Sequence, residues 1–297
     1  MFAIPFPNID PAIFTLELGS FTFSLRWYAL AYIAGILLGW QLAAAALRRV
    51  RLWRDDSPPM SPAEVEELLT WMVVGVIAGG RLGFVIFYQP AYYLANPAEI
   101  PAIWNGGMSF HGGFLGVIAG VWLWARAKGR PVMEVGDAVA CAAPIGLLLG
   151  RIANFINAEL WGRTTDAPWG VIFPNGGPEP RHPSQIYEAG LEGAVLFLVM
   201  WWLATRAGWL KRPGALIGVF LVGYGLARSV VELFRQPDRF LQSEGNPLGL
   251  AWQWGPEAGL TMGQILSIPM ILAGVAVIVA ARRGAWARGA PREAEAE

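Results

Sequence analysis

Gly150-Arg151-Ile152-Ala153-Asn154-Phe155-Ile156-Asn157-Ala158-Glu159-Leu160-Trp161-Gly162-Arg163 is the stretch whose reading decides the fold. It closes an apolar segment and turns polar where hydrocarbon would otherwise continue. Arg151, Asn154, Asn157 and Glu159 crowd together beside a run of Ala, Leu and Gly. An ionisable group at membrane depth is costly, so by default it marks a working site. A helix end snorkelling into headgroups accounts for a terminal arginine, but not for two asparagines and a glutamate beside it.

The remainder of the chain supports that setting. Of 297 residues, 55% are apolar and only 15% charged, a membrane composition rather than that of two soluble domains. The formal net charge is zero, so no global field favours nucleic acid as a partner. One cysteine, Cys141, and two histidines exclude an intrachain disulfide and make a Cys- or His-based metal site improbable. The first twenty residues lack a basic n-region and carry Asp10 and Glu17, so no cleavable signal is expected.

Hydropathy predicts seven membrane spans, near residues 23–47, 68–88, 112–124, 135–156, 185–204, 215–234 and 262–281. The fold class expected is an all-α integral membrane protein in one polytopic transmembrane unit, residues 1–297. Basic residues cluster after spans one, three, five and seven, whereas the loop 89–110 has none. The positive-inside rule then places the N-terminus outside and the C-terminus in the cytoplasm. The loops near 89–110, 161–184 and 237–260 are longer than packing needs and predict a small extracytoplasmic cap.

Five arginines fall inside the spans: Arg26, Arg81, Arg151, Arg228 and Arg235. With the orientation above, all lie in the outer half of their helices, as do His111, Glu188 and Glu192. Scattered structural ion pairs would not share a depth, so one outward-facing polar cavity is expected. Arginine keeps its proton, and its planar fork suits phosphate oxygens. Five arginines against few intramembrane acids imply that an anion arrives from elsewhere, and in the outer leaflet the abundant anion is a phospholipid headgroup. Arg228, Glu232 and Arg235 follow one another at four and then three residues and so line one helix face. Glu232 there either holds both arginines or orients them for a ligand.

Two residues are candidates for moving a proton. His111, in Ser109-Phe110-His111-Gly112-Gly113, is placed at the arginine depth and titrates near neutrality; the alternative is a packed, hydrogen-bonded histidine. Tyr28, at the outer end of span one, donates to a phosphate, orients a nucleophile, or serves only in the aromatic belt. His182 reads as a cap for span five. No nucleophile elbow, P-loop or Cys-His pairing is present to carry an enzyme-bound acyl group. A transporter would continue polar groups into the inner halves of the spans, which here, apart from residues at the inner rim such as Glu134 and Asp137, are Leu, Val, Ala and Trp.

The stretch 150–162 resembles the signature of the bacterial prolipoprotein diacylglyceryl transferases. Similar agreement is found in Trp27-Tyr28, in Gly107-Met108-Ser109-Phe110-His111-Gly112-Gly113, in Arg181-His182-Pro183-Ser184-Gln185, in the segment 228–238 and in Met262-Gly263-Gln264-Ile265-Leu266-Ser267-Ile268-Pro269. Two departures are Ala29, where glycine is expected, and Arg26, where the family can have histidine. The resemblance implies a transferase, with no metal or organic cofactor, of the bacterial inner membrane with its active site facing the periplasm. It implies that the diacylglyceryl group of phosphatidylglycerol moves onto the lipobox cysteine thiol in a prolipoprotein signal peptide, forming a thioether and releasing glycerol phosphate. By that resemblance Arg151 and Arg228 are the phosphate holders, Asn154, Glu159, Glu232 and Arg235 support them, and Arg81 and Arg26 join the lipid-binding set. His111 and Tyr28 both stand as candidates for activating the thiol.

Overall fold

The apolar run after Arg26 winds into helix α1 (Trp27–Arg48), which ends on basic residues that suit its negative C-terminal dipole. A computed structural model describes residues 3–19, 21–237, 241–255 and 258–286 of the chain. The expected span one starts four residues early, because 23–26 belong to strand β3 (Phe21–Arg26), paired antiparallel with β2 (Ala12–Leu18). Alternating Phe, Ser and Thr there favour a strand over a helix.

Helix α2 (Glu64–Phe87) opens with Glu64, Glu66 and Glu67, acids placed where the N-terminal dipole is positive. It packs along α4 (Phe110–Ala127) through glycines rather than large side chains. A Cβ added at Gly79 would stand 2.8 Å from the Gly116 Cα, and one at Gly83 2.8 Å from the Gly112 Cα. Small residues four apart let two helix backbones touch, which replaces the hydrophobic driving force that lipid cannot supply. Ser109 caps α4 by accepting the Gly112 N–H at 3.2 Å.

Helix α5 (Val132–Ile156) packs on α1 and carries Pro144 inside it. The span from Ser184 to Thr205 is one continuous helix in three pieces: α6 (Ser184–Glu188), a π-helical segment (Ala189–Val195) and α7 (Leu196–Thr205). Helices α8 (Ala215–Val231) and α9 (Met262–Arg282) pair with each other, α9 being started by a capping box of Thr261 and Gln264.

Five helices among the described residues are long and apolar enough to cross a membrane: α1, α2, α5, the 184–205 helix and α9. The other two expected spans correspond to α4, of 18 residues, and α8, of 17. Helix α8 stops at Val231, three residues before the expected end of span six. Many large apolar side chains on these helices face outward, Leu82, Ile86, Leu198 and Leu272 among them, as a lipid-facing surface requires.

Among the described residues, three two-stranded pieces stand beside the helices. They are β2–β3, β1 (Ile4–Pro5) with β4 (Val171–Ile172) in parallel, and β5 (Trp252–Gly255) with β6 (Ala258–Leu260). All-α therefore holds for the helical body and not for the loops. The segment 89–110 adds α3 (Pro90–Ala95) and two 3-10 turns. The largest apolar core lies at the opposite end, around Trp53 and Trp124, both fully buried. Trp53 also donates its indole N–H to the Ala46 carbonyl at 3.0 Å.

Candidate active site

Three arginines and three glutamates meet where α5, the 184–205 helix and the end of α8 converge. Arg151 Nε stands 3.3 Å from Glu188 Oε2, and its Nη2 stands 3.5 Å from Glu192 Oε2. Arg228 Nη1 donates to Glu188 Oε1 at 2.9 Å, and Nη2 contacts Glu232 Oε1 at 2.5 Å. Arg235 Nη1 lies 3.5 Å from Glu232 Oε1, with Nε 3.9 Å from Glu188 Oε1. One carboxylate, Glu188, is thus shared by all three arginines.

The two charge types differ in access. The side chains of Glu188 and Glu192 are 1% and 0% exposed, whereas Arg151, Arg228 and Arg235 keep 19%, 16% and 23% of theirs. A guanidinium carries five N–H donors, and the carboxylates engage two nitrogens of each. Glu188 and Glu192 therefore hold the arginines from the buried side, while Glu232, at 11% exposed, lies closer to the open side.

Local backbone explains how 150–163 builds this site. Helix α5 ends at Ile156, and the chain then passes through Ala158 (φ 52°) and Leu160 (φ 58°), left-handed conformations that non-glycine residues adopt at a cost. The start of α6 holds that turn in place. Gln185 Nε2 donates to the Glu159 carbonyl at 2.6 Å and Ser184 Oγ to the Leu160 carbonyl at 3.0 Å. Gly162 is required by space, since a Cβ there would run into the Phe234 carbonyl and stand 2.7 Å from that of His182. Asn154 Nδ2 donates to Glu159 Oε1 at 2.7 Å, fixing both side chains beside Arg151.

Tyr28 reaches the same neighbourhood from α1. Its hydroxyl lies 3.1 Å from that of Tyr32 and within the field of Glu159 and Arg151. His111 stands exposed in the first turn of α4, one helix beyond those that carry the cluster. Arg26 is exposed at the strand-to-helix junction that starts α1.

Arg81 is placed differently from the expectation that it joins the lipid-binding set. It is 4% exposed and spends its guanidinium on backbone carbonyls: Ile100 at 2.7 Å, Glu99 at 2.8 Å, Gly106 at 2.6 Å and Gly107 at 3.2 Å. Tyr93 covers it, ring centroid 5.0 Å from Cζ. Its position in the fold is that of a clasp on the 89–110 loop. The charge count is revised as well: Arg151, Arg228 and Arg235 face an equal number of glutamates, so the cluster carries no surplus of arginines over acids.

Sequence reading passed over Tyr224, which interacts with Glu188, Glu192 and Arg228 and hydrogen-bonds to Arg151. The signal was present, since Tyr224 precedes Arg228 by four residues on the same face of α8. It also left Glu188 and Glu192 out of the site proper, although they anchor it. His182 does not cap α6 with its side chain; its ring pairs with the Tyr187 hydroxyl at 3.1 Å and packs edge-on against Phe234.

The sequence profile of the family described as prolipoprotein diacylglyceryl transferase matches residues 14–280. Relatives named phosphatidylglycerol–prolipoprotein diacylglyceryl transferase span nearly the whole length. That of Ruegeria pomeroyi is 56% identical over 286 residues, covering 93% of this chain and 97% of its own. Those of Roseobacter denitrificans and Paramagnetospirillum magneticum are 55% and 53% identical, covering 95% and 96% of this chain and 99% of their own. With the matched region running from the β2–β3 hairpin to the last turns of α9, the chain belongs to the prolipoprotein diacylglyceryl transferase family.

Proposed function

We infer that this chain transfers the diacylglyceryl group of phosphatidylglycerol to a prolipoprotein, and that the cluster of Arg151, Arg228 and Arg235 is where the lipid phosphate sits. The observation that carries the site assignment is the unequal access within it. Glu188 and Glu192 are sealed behind, Glu232 is 11% exposed and the three arginines are more open still, which is the arrangement needed to grip an anion without losing the arginines to their partners.

The acceptor is a lipobox cysteine in the prolipoprotein signal peptide. Its thiol must become a thiolate before it attacks, and His111 and Tyr28 are the two groups proposed to take that proton. Attack by sulfur on the glycerol carbon forms a C–S bond and breaks the C–O bond to phosphate, so glycerol phosphate departs with the electron pair. Positioned N–H donors of Arg151 and Arg228 stabilise the charge that builds on that leaving oxygen, in a site of low dielectric. Asn154 and Glu159 lock the turn beside Arg151, and Glu188 and Glu232 hold the guanidinium planes.

We place the chain in the bacterial inner membrane as one polytopic unit with seven spans, N-terminus outside and C-terminus in the cytoplasm. The segments 89–110, 161–184 and 237–260 then form a small periplasmic cap over the cluster. Purified protein given phosphatidylglycerol and a lipobox peptide tests the chemistry. A diacylglyceryl adduct on cysteine together with released glycerol phosphate is expected; intact peptide under conditions where the protein is folded would refute it.

A further inference from the structure

At the end of the molecule opposite the glutamate-backed cluster lies a second set of arginines with different surroundings. Arg49 and Arg51, just past α1, and Arg206, just past α7, line one cavity of about 560 Å³ together with Trp201, Trp202 and Thr205. That volume is within the range of ligand pockets, roughly 300–1,000 Å³. No carboxylate lines it. At this end Lys128 pairs with Glu67 at 2.8 Å, Arg130 with Glu64 at 2.8 Å and Arg54 with Asp55 at 3.4 Å, while Arg48, Arg126, Lys211, Arg212, Arg282 and Arg283 stand outside any ion pair among the described residues but do not line this cavity. Among the described residues, Arg49, Arg51 and Arg206 enter no ion pair. Basic residues that merely obey a topology rule would spread over the rim, each in water. Here three exposed arginines line one shared open space without acids, beside two tryptophans suited to the headgroup level.

The height of the cavity decides which anion. Helix α1 has 22 residues, about 33 Å at the helical rise, with Tyr28 and the transferase cluster near one end and Arg49 and Arg51 just past the other. That length matches the hydrocarbon thickness of a bilayer, roughly 30 Å. The helix from Ser184 to Thr205 likewise carries Glu188 near its start and ends at Arg206. The cavity therefore sits at the headgroup level of the far leaflet, flanked by lipid-facing Trp202, Val199 and Leu198. We propose that Arg49, Arg51 and Arg206 bind the phosphate of an anionic phospholipid in the leaflet opposite the transferase cluster, as a structural lipid bridging the ends of α1 and α7.

Binding is read without turnover, so the outcome is independent of the transferase assignment. The full chain in detergent, carrying Arg151→Ala and Arg228→Ala to empty the other phosphate site, is equilibrated with equal dioleoyl phosphatidylglycerol and dioleoyl phosphatidylcholine. Retained lipid is then counted by native mass spectrometry. The preference for the anionic lipid is expected to fall about tenfold when Arg49→Ala, Arg51→Ala and Arg206→Ala are added, and to survive the corresponding Lys substitutions, which keep the charge. Arg206→Glu alone, at an exposed position, is expected to give the same loss and serves if the triple variant does not fold. An unchanged preference in these variants, or none before they are made, overturns the proposal. Displacement of the lipid by millimolar inorganic phosphate overturns it too, since that identifies a free-anion site.

Discussion

Two arginines, alike in sequence context, do opposite jobs, and their substitutions separate them. Gly80-Arg81-Leu82-Gly83 and Gly150-Arg151-Ile152-Ala153 look like echoes, yet Arg81 ends among carbonyls and Arg151 among carboxylates with donors to spare. Arg151→Ala is expected to leave an inserted, folded protein whose transfer rate is down about 100- to 1,000-fold, as when a donor to a developing oxyanion is removed; adduct formation by mass spectrometry reads it. Arg81→Met should instead cost stability, on the order of 3 kcal/mol from four orphaned carbonyl contacts. It is read as a lowered thermal midpoint in detergent, with near-normal turnover in the fraction that remains folded. A drop in turnover with unchanged stability would return Arg81 to the lipid site. The difference was not legible in sequence because it depends on what the following loop presents: 99–107 curls back to offer carbonyls, whereas the Glu159 and Leu160 carbonyls are taken by Gln185 and Ser184.

At the scale of elements, the glycine spacing in α2 and α4 was visible as composition but not as an interface. The pairing of Gly75 and Gly79 with Gly116 and Gly112 emerges only when the two helices are laid together. Gly79→Leu must push the backbones apart, at about 3 kcal/mol or more, and is expected to lower the thermal midpoint far more than Leu at Gly146, where an added Cβ meets nothing within 4 Å. The π-helical segment 189–195 was equally hidden, since its residues read as ordinary α-helix; π turns tend to occur at functional sites, and this one carries Glu192. The His182 region supplies a pH signature. Burial lowers the pKa of His182 below the ordinary imidazole value. The unfolded chain therefore takes up the proton first as pH falls. Stability is complete above about pH 6.5 and declines as pH drops below it toward the depressed folded-state value. His182→Gln should flatten that slope in thermal midpoints measured from pH 7.5 to 5; an unaltered slope would assign the dependence to another group.

Across the whole molecule, the sequence pattern located the helices, because a bilayer forces apolar runs. It put Glu232 beside Arg228 and Arg235, as found, but did not show Glu188 and Glu192 facing Arg151, nor that α8 ends before Glu232, since partner choice between helices is a tertiary matter. Two charged ends now stand a helix length apart, one with arginines backed by glutamates and one where Arg49, Arg51 and Arg206 stand outside any ion pair among the described residues. The orientation follows if the second end is cytoplasmic, where basic residues are retained. The chain is suited to a direct check, because its single cysteine, Cys141, is 4% exposed and should stay silent. Glu244→Cys, in the 237–260 segment near the cluster, is expected to react with a membrane-impermeant maleimide in intact cells. Lys211→Cys, between α7 and α8 at the other end, should react only after the membrane is opened. The reverse pattern would put the arginine–glutamate cluster on the cytoplasmic side, and the periplasmic cap assigned to 89–110, 161–184 and 237–260 would have to be abandoned with it.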